Sequence, residues 1–99
     1  MNEYERIREE FFQLEQNHQL NSERFNTVEL IRNGQSILEL PQGFNGVERH
    51  FRLDGSIICE EEFRNGAAWG CARYYNNQGR IVGQDYYENG GVIETHVFE

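Results

Sequence analysis

The chain changes its hydrophobic rhythm once, near residue 25. Before that point Tyr4, Ile7, Phe11, Leu14 and His18 recur at steps of three and four, tracing one stripe along a 3.6-residue helix. Phe12 widens the stripe, while Glu3, Glu5, Glu9, Glu10 and Glu15 fall mostly on the solvated side. Acidic residues in the first turn suit the positive end of the helix dipole. In "QNHQLNS", Asn17, Asn21 and Ser22 compete for backbone hydrogen bonds and favour turns. The pattern predicts a helix over 1–21, with His18 a partly buried residue at its edge.

From Thr27 onward the period is two. Strand-favouring runs are punctuated by Asn33-Gly34, Asp54-Gly55, Asn65-Gly66, Gln78-Gly79 and Asn89-Gly90, dipeptides that close tight hairpins. The implied strands cover 27–32, 35–40, 47–53, 56–63, 68–75, 80–87 and 92–98, with the longest break at "PQGFNG", residues 41–46. Tight turns join antiparallel neighbours. The predicted fold is therefore α+β in a single domain, 1–99. An N-terminal amphipathic helix packs on an antiparallel β-meander sheet of about six to seven strands occupying 25–99.

Simple alternation then assigns two faces. One holds Val47, Arg49, Phe51, Ile58, Trp69, Cys71, Arg73, Tyr75, Val82, Tyr86, Ile93 and Val97; the other holds His50, Ile57, Cys59, Phe63, Tyr74, Ile81, Tyr87, Val92 and Phe98. A single helix covers one face only, so the second must cover itself, dimerise or bind something. The face with Trp69 offers the helix more apolar area. Cys59 and Cys71 fall on opposite sides, which argues against a disulfide between them.

The strands also repeat. Gly46, Arg49, Phe51, Gly55, Ile57, Phe63, Asn65 and Gly66 recur 24 residues later as Gly70, Arg73, Tyr75, Gly79, Ile81, Tyr87, Asn89 and Gly90. A fixed period in the twenties marks stacked supersecondary units. "GVERHFRLDGSIICEEEFRNG" and "GCARYYNNQGRIVGQDYYENG" resemble the MORN-repeat variant, whose pattern is roughly G-x-x-x-x-[YF]-x-x-x-G with an aromatic-x-N-G ending. The resemblance covers about residues 46–90, with a weaker half-copy at 25–34, and the helix lies outside it. It implies a single-layer sheet used for protein or lipid contact. Bacterial members include antitoxins, which implies a neutralising role.

Charge narrows the partners. The sequence has 17 Asp and Glu against 9 cations, all of them Arg, for a formal net charge of −8. Such a surface repels nucleic acid and anionic membranes and speeds encounter with basic proteins. The N-terminus lacks a secretory signal and two cysteines make no disulfide scaffold, so a cytoplasmic location is expected.

Candidate chemistry is sparse. No phosphate loop, Gly-x-Ser-x-Gly or His-Glu-x-x-His is present, and no enzymatic activity or cofactor is expected. His50, Cys59 and His96 lack metal-ligand spacing. The run Glu60-Glu61-Glu62 reads either as an acidic patch extended by Asp85 and Glu94, or as cross-strand partners of Arg49 and Arg73. The leading expectation is a non-enzymatic, antitoxin- or immunity-like inhibitor of a basic protein. Trp69, Tyr75 and Tyr86 would be its anchors, with Glu60 and Glu62 as charged rim. The alternatives are a phage-type anti-defence inhibitor that mimics nucleic acid, and a self-associating structural module in the form of a homodimer.

Overall fold

The computed structural model describes residues 1–25 and 44–98. Helix α1 spans Glu3–Gln16. Six strands follow: β1 Leu20–Phe25, β2 Gly46–Arg52, β3 Ile57–Arg64, β4 Ala67–Tyr75, β5 Ile81–Glu88 and β6 Gly91–Val97. They pair antiparallel in chain order, a meander. The fold is α+β, as the change of period predicts, and strands β2 to β6 lie within a residue or two of their expected bounds. The strands expected at 27–32 and 35–40, with the Asn33-Gly34 turn, lie outside the described residues.

The helix is shorter than its pattern suggests. Asn2 accepts the Glu5 N–H at 2.7 Å and donates its own N–H to Glu5 Oε1 at 3.3 Å, a reciprocal cap that sets the start. Asn17 ends it, and His18 turns the chain at φ 54, in the left-handed region. His18 is consequently exposed rather than partly buried. The chain then enters β1, a strand that pattern reading assigns to helix and turn. "LNSERF" has little intrinsic strand preference; pairing with β2, from Leu20↔Arg52 to Phe25↔Val47, supplies it.

The 24-residue sequence period is also a structural one. Asn65-Gly66 and Asn89-Gly90 both take positive φ, at 52 and 79 and at 52 and 83, the geometry of a two-residue hairpin turn. The Gly66 N–H donates to Phe44 O at 2.9 Å and the Gly90 N–H to Ala68 O at 3.0 Å. At the opposite end, Arg52 N donates to Ser56 O at 2.8 Å and Asn76 N to Arg80 O at 2.9 Å.

Each repeat contains a β-bulge, and the bulges correct the face assignment at Ile57, Ile58, Ile81 and Val82 while the other positions of β2 to β5 keep theirs. His50↔Cys59 is followed by Phe51↔Ile57, leaving Ile58 extra. Tyr74↔Gly83 is followed by Tyr75↔Ile81, leaving Val82 extra. One extra residue reverses the alternation around it. Ile58 and Val82, expected beside Trp69, are instead fully buried beneath the helix. Ile57 and Ile81 move to the opposite face through their partners Phe51 and Tyr75. A further bulge at Ile93 reverses the end of β6, so that Val97 pairs with Gly83 and Phe98 stacks against His96.

The core sits between α1 and one side of the sheet. Tyr4, Ile7 and Phe11 pack on Ile58, Cys59, Ala72, Tyr74 and Val82, with Leu14, Leu20 and Tyr87 at the margin. Each fully buried large side chain stabilises by about 1.5–3 kcal/mol. The helix therefore covers the Cys59–Tyr74 side and not the Trp69 side. The bulges moved apolar area there, and Gly83 clears space for the Tyr4 ring. Phe12 lies off the buried stripe and is 51% exposed. Both cysteines are free, Cys59 under the helix and Cys71 on the far side. No helix among the described residues is long and apolar enough to cross a membrane.

Candidate functional site

Two groups of polar side chains stand out, one sealed under the helix and one across the opposite face. The sealed group fastens α1 to the sheet. Asp85 is fully buried. Its Oδ1 accepts from the Tyr4 hydroxyl at 2.5 Å and the Thr95 hydroxyl at 2.8 Å, and its Oδ2 from Tyr74 at 3.4 Å. Arg8 lies 3.5 Å from Oδ2. Burial, reinforced by the bond to Asp85, pushes the Tyr4 phenol up to about 12. Burial also moves Tyr74 upward.

One repeat earlier, His50 and Glu61 stand where Tyr74 and Asp85 stand. His50 is 4% exposed, under the Phe11 ring at 4.9 Å. Its Nδ1 meets the Ser22 hydroxyl at 2.8 Å. Its Nε2 lies 3.2 Å from Glu48 and 3.1 Å from Glu61, but off line, so no hydrogen bond forms there. Hydroxyl, imidazole and carboxylate follow the order of a nucleophile relay. Phe11 packs on the ring, so the cluster sits at the helix–sheet junction with Ser22 exposed at its rim. Arg52 completes that junction. It donates to both Glu10 oxygens at 3.0 Å, to Ile57 O at 2.9 Å and to Tyr75 O at 3.0 Å.

The opposite face of the sheet has no described element packed on it. A polar row crosses all six strands there, through the register pairs Glu23↔Arg49, Arg49↔Glu60, Glu60↔Arg73, Arg73↔Gln84 and Gln84↔His96. Its charges alternate in sign over the first four members. Arg49 Nε donates to Glu60 at 2.7 Å, and the Tyr75 hydroxyl donates to the other Glu60 oxygen at 2.6 Å. Burial pushes the Glu60 carboxyl up, but Tyr75 and Arg49 more than offset it and leave it lowered. Burial and the bond to Glu60 push the Tyr75 phenol up to about 12.

Beside this row lie the aromatic positions. Trp69 is half-buried, with the Arg64 guanidinium 5.1 Å above its ring. Tyr86 pairs with Cys71 across the strands, and its hydroxyl accepts from Gln84 at 2.6 Å. Phe51 and Ile57, Tyr75 and Ile81 form two further apolar pairs on this side. All five sequence-predicted contact residues, Trp69, Tyr75, Tyr86, Glu60 and Glu62, share this open face.

The two carboxylates differ from expectation in their state. Glu60 is held by Arg49 and Tyr75. Glu62 accepts the Cys71 N–H at 2.6 Å, at a bulge where Gly70 takes φ 88 and a Cβ would lie 2.7 Å from the carboxylate. Asp85 does not extend an acidic patch here, because it lies under the helix. Of the three consecutive glutamates, Glu61 faces the helix side and the outer two face away. His50 and Cys59 are cross-strand neighbours, while His96 belongs to the other face. Among the described residues, no group of three or more His, Cys, Asp or Glu has a metal-binding arrangement.

Sequence reasoning missed Arg52, His50 and Asp85 as buried anchors. Their signal was the repeat itself, since Arg52 and Asn76, His50 and Tyr74, and Glu61 and Asp85 are each 24 apart and all are buried or half-buried. Comparison with family models, curated proteins and solved structures finds no match to this chain.

The raised phenols carry a pH dependence. An unfolded tyrosine loses its proton near pH 10, whereas Tyr4 and Tyr75 hold theirs to about 12. Between those values the folded chain binds more protons, so stability present below about pH 10 falls as pH rises toward 12. The urea midpoint is expected to be lower at about pH 11 than at about pH 9. An unchanged midpoint would contradict the buried phenol bonds.

Proposed function

We propose that this protein is a non-enzymatic, antitoxin- or immunity-like inhibitor that binds a basic partner protein on the open face of its sheet. The observation that carries this reading is the two-sidedness of the sheet. The helix occupies one side, while Trp69, Tyr75 and Tyr86 stand on the other without a described cover. Large rings with polar tips are favoured interface anchors. The net charge of −8 steers a cationic partner toward the protein.

The resemblance of residues 46–90 to MORN-like repeats supports the same role. Glu60 and Glu62 act within it mainly as organisers. They hold Tyr75 and the β4 backbone in place, and the alternating row sets the orientation of the bound partner. Mimicry of nucleic acid is less favoured, since a phosphate-like surface needs successive free carboxylates, and this face alternates Arg with Glu.

The test is capture from host lysate by the wild-type protein and by Trp69→Ala/Tyr86→Ala, each at low and high salt. Both side chains are half-buried on the surface away from the core, so circular dichroism of the variant should remain native. A basic protein retained by the wild type should be weakened at least tenfold with the variant. Hot-spot truncations of ~2 kcal/mol or more give losses of this size. Equal retention by both proteins would remove the open face from the interface.

A further inference from the structure

The last strand of the sheet is an edge. One side of β6 pairs with β5; among the described residues nothing pairs with the other. The whole strand is exposed, including Ile93 at 65% and Val97 at 37%. Unpaired edges invite another strand, and proteins commonly blunt them with lysine, proline or a covering element. This chain contains no Lys and its one Pro is Pro41, so β6 has neither; its one bulge, at Ile93, lies at the start of the strand and leaves 94–97 in regular register.

The chemistry of β6 identifies what fits. Around Thr95 its residue types mirror each other, with Ile93 and Glu94 before it and His96 and Val97 after it. Each side of Thr95 has one polar titratable residue and then one branched apolar residue. Two copies aligned antiparallel about Thr95 place Glu94 opposite His96 of the second copy and Ile93 opposite its Val97. A two-fold strand pairing demands this self-complementarity, and opposite polar partners and β-branched pairs favour it. Within their own chain neither Glu94 nor His96 has an ion-pair partner among the described residues.

The backbone is oriented for the same register. The Phe98 N–H donates inward to Val82 O at 3.0 Å. Alternation then directs the N–H and C=O of His96 inward and those of Thr95 and Val97 outward. Thr95 can therefore exchange both hydrogen bonds with its copy, while its hydroxyl remains on Asp85.

We propose that β6 is a homodimerisation edge, pairing with a second copy of this chain in the register centred on Thr95. Strands paired about a two-fold axis perpendicular to the sheet keep like faces on one side. The dimer would be one continuous sheet, with both helices on one surface and both open faces, side by side, on the other. The pairing stands independently of any foreign partner. It extends the polar row, because His96 meets Glu94 of the copy on the open side.

Sedimentation equilibrium at about 0.15 M salt, where exposed charges are screened beyond ~8 Å, tests the proposal. The wild type is expected to approach twice the 11.7 kDa monomer mass as concentration rises. His96→Glu opposes two glutamates at each of two symmetric contacts and should raise the dissociation constant about tenfold. Exchanging the pair, Glu94→His with His96→Glu, should restore dimerisation. Ile93→Lys, at a side chain already exposed, should weaken it without unfolding the protein, with circular dichroism as the check. A wild type that stays monomeric at ~1 mM, which puts any dissociation constant above that concentration, would overturn the proposal. So would a dimer indifferent to both His96→Glu and Ile93→Lys, or one that the exchange fails to restore.

Discussion

Asp85→Ala is expected to cost about 3–5 kcal/mol, the range for removing one partner of a buried charged network. The carboxylate is fully buried and accepts from three hydroxyls, those of Tyr4, Tyr74 and Thr95. Truncation leaves all three without that acceptor, and the two buried ones, Tyr4 and Tyr74, cost about 1–3 kcal/mol each when left unsatisfied. Since Tyr4 belongs to α1, Tyr74 to β4 and Thr95 to β6, the loss loosens three elements together. For a domain of this size, a 3 kcal/mol loss lowers the melting temperature by roughly 12–24 °C. Urea denaturation checks the value. Tyr4→Phe, which removes one donor and leaves the acceptor two others, should cost much less. A cost below about 0.5 kcal/mol for Asp85→Ala, the size of an ordinary surface change, would mean that the network does not hold the helix.

Gly83→Ala should destabilise by about 1–3 kcal/mol, the usual cost of overpacking. An added Cβ would lie 2.5 Å from Tyr4 Cδ1, 2.9 Å from Cγ of the same ring and 3.1 Å from the His96 carbonyl. The ring cannot swing aside without giving up Asp85, so the methyl lifts the first turn of the helix. The same mechanism predicts strong coupling. Tyr4→Ala alone removes a buried aromatic ring, at about 3–5 kcal/mol for changes of this kind. In that background Gly83→Ala should cost far less, because only the contact with His96 O remains tight. Additive costs in the double variant would show that the two residues do not meet.

The parts of the fold written in local sequence were legible. Asp54-Gly55, Asn65-Gly66, Gln78-Gly79 and Asn89-Gly90 located the turns between β2 and β6, and the period-two runs located those strands. The Tyr4–Ile7–Phe11 spacing located the buried helix stripe. Strand β1 was not legible, because "LNSERF" becomes a strand only through pairing with β2, a contact between residues far apart in the chain. Nor was the side taken by the helix. Parity carries through hairpins only while every residue is paired, and unpaired Ile58 and Val82 reversed it at the same place in both repeats. The open face survived this error, because the two repeat bulges misplace only Ile57, Ile58, Ile81 and Val82, and the alternation expected for Trp69, Tyr75, Tyr86, Glu60 and Glu62 holds. What residue type alone hid was the state of the glutamates. A carboxylate in a strand reads as surface charge until the register brings Arg49, Tyr75 or the Cys71 N–H against it.

Trp69 is the sequence's one tryptophan, and it stands on the face assigned to binding, so its fluorescence reports on that face alone. The most direct measurement is acrylamide quenching of Trp69 in the free protein and in complex with a captured basic partner that lacks tryptophan or has been substituted to lack it. Substantial quenching is expected when the protein is free, and marked protection in the complex. Unchanged quenching in a demonstrated complex would place the partner elsewhere and contradict the open face as the binding surface.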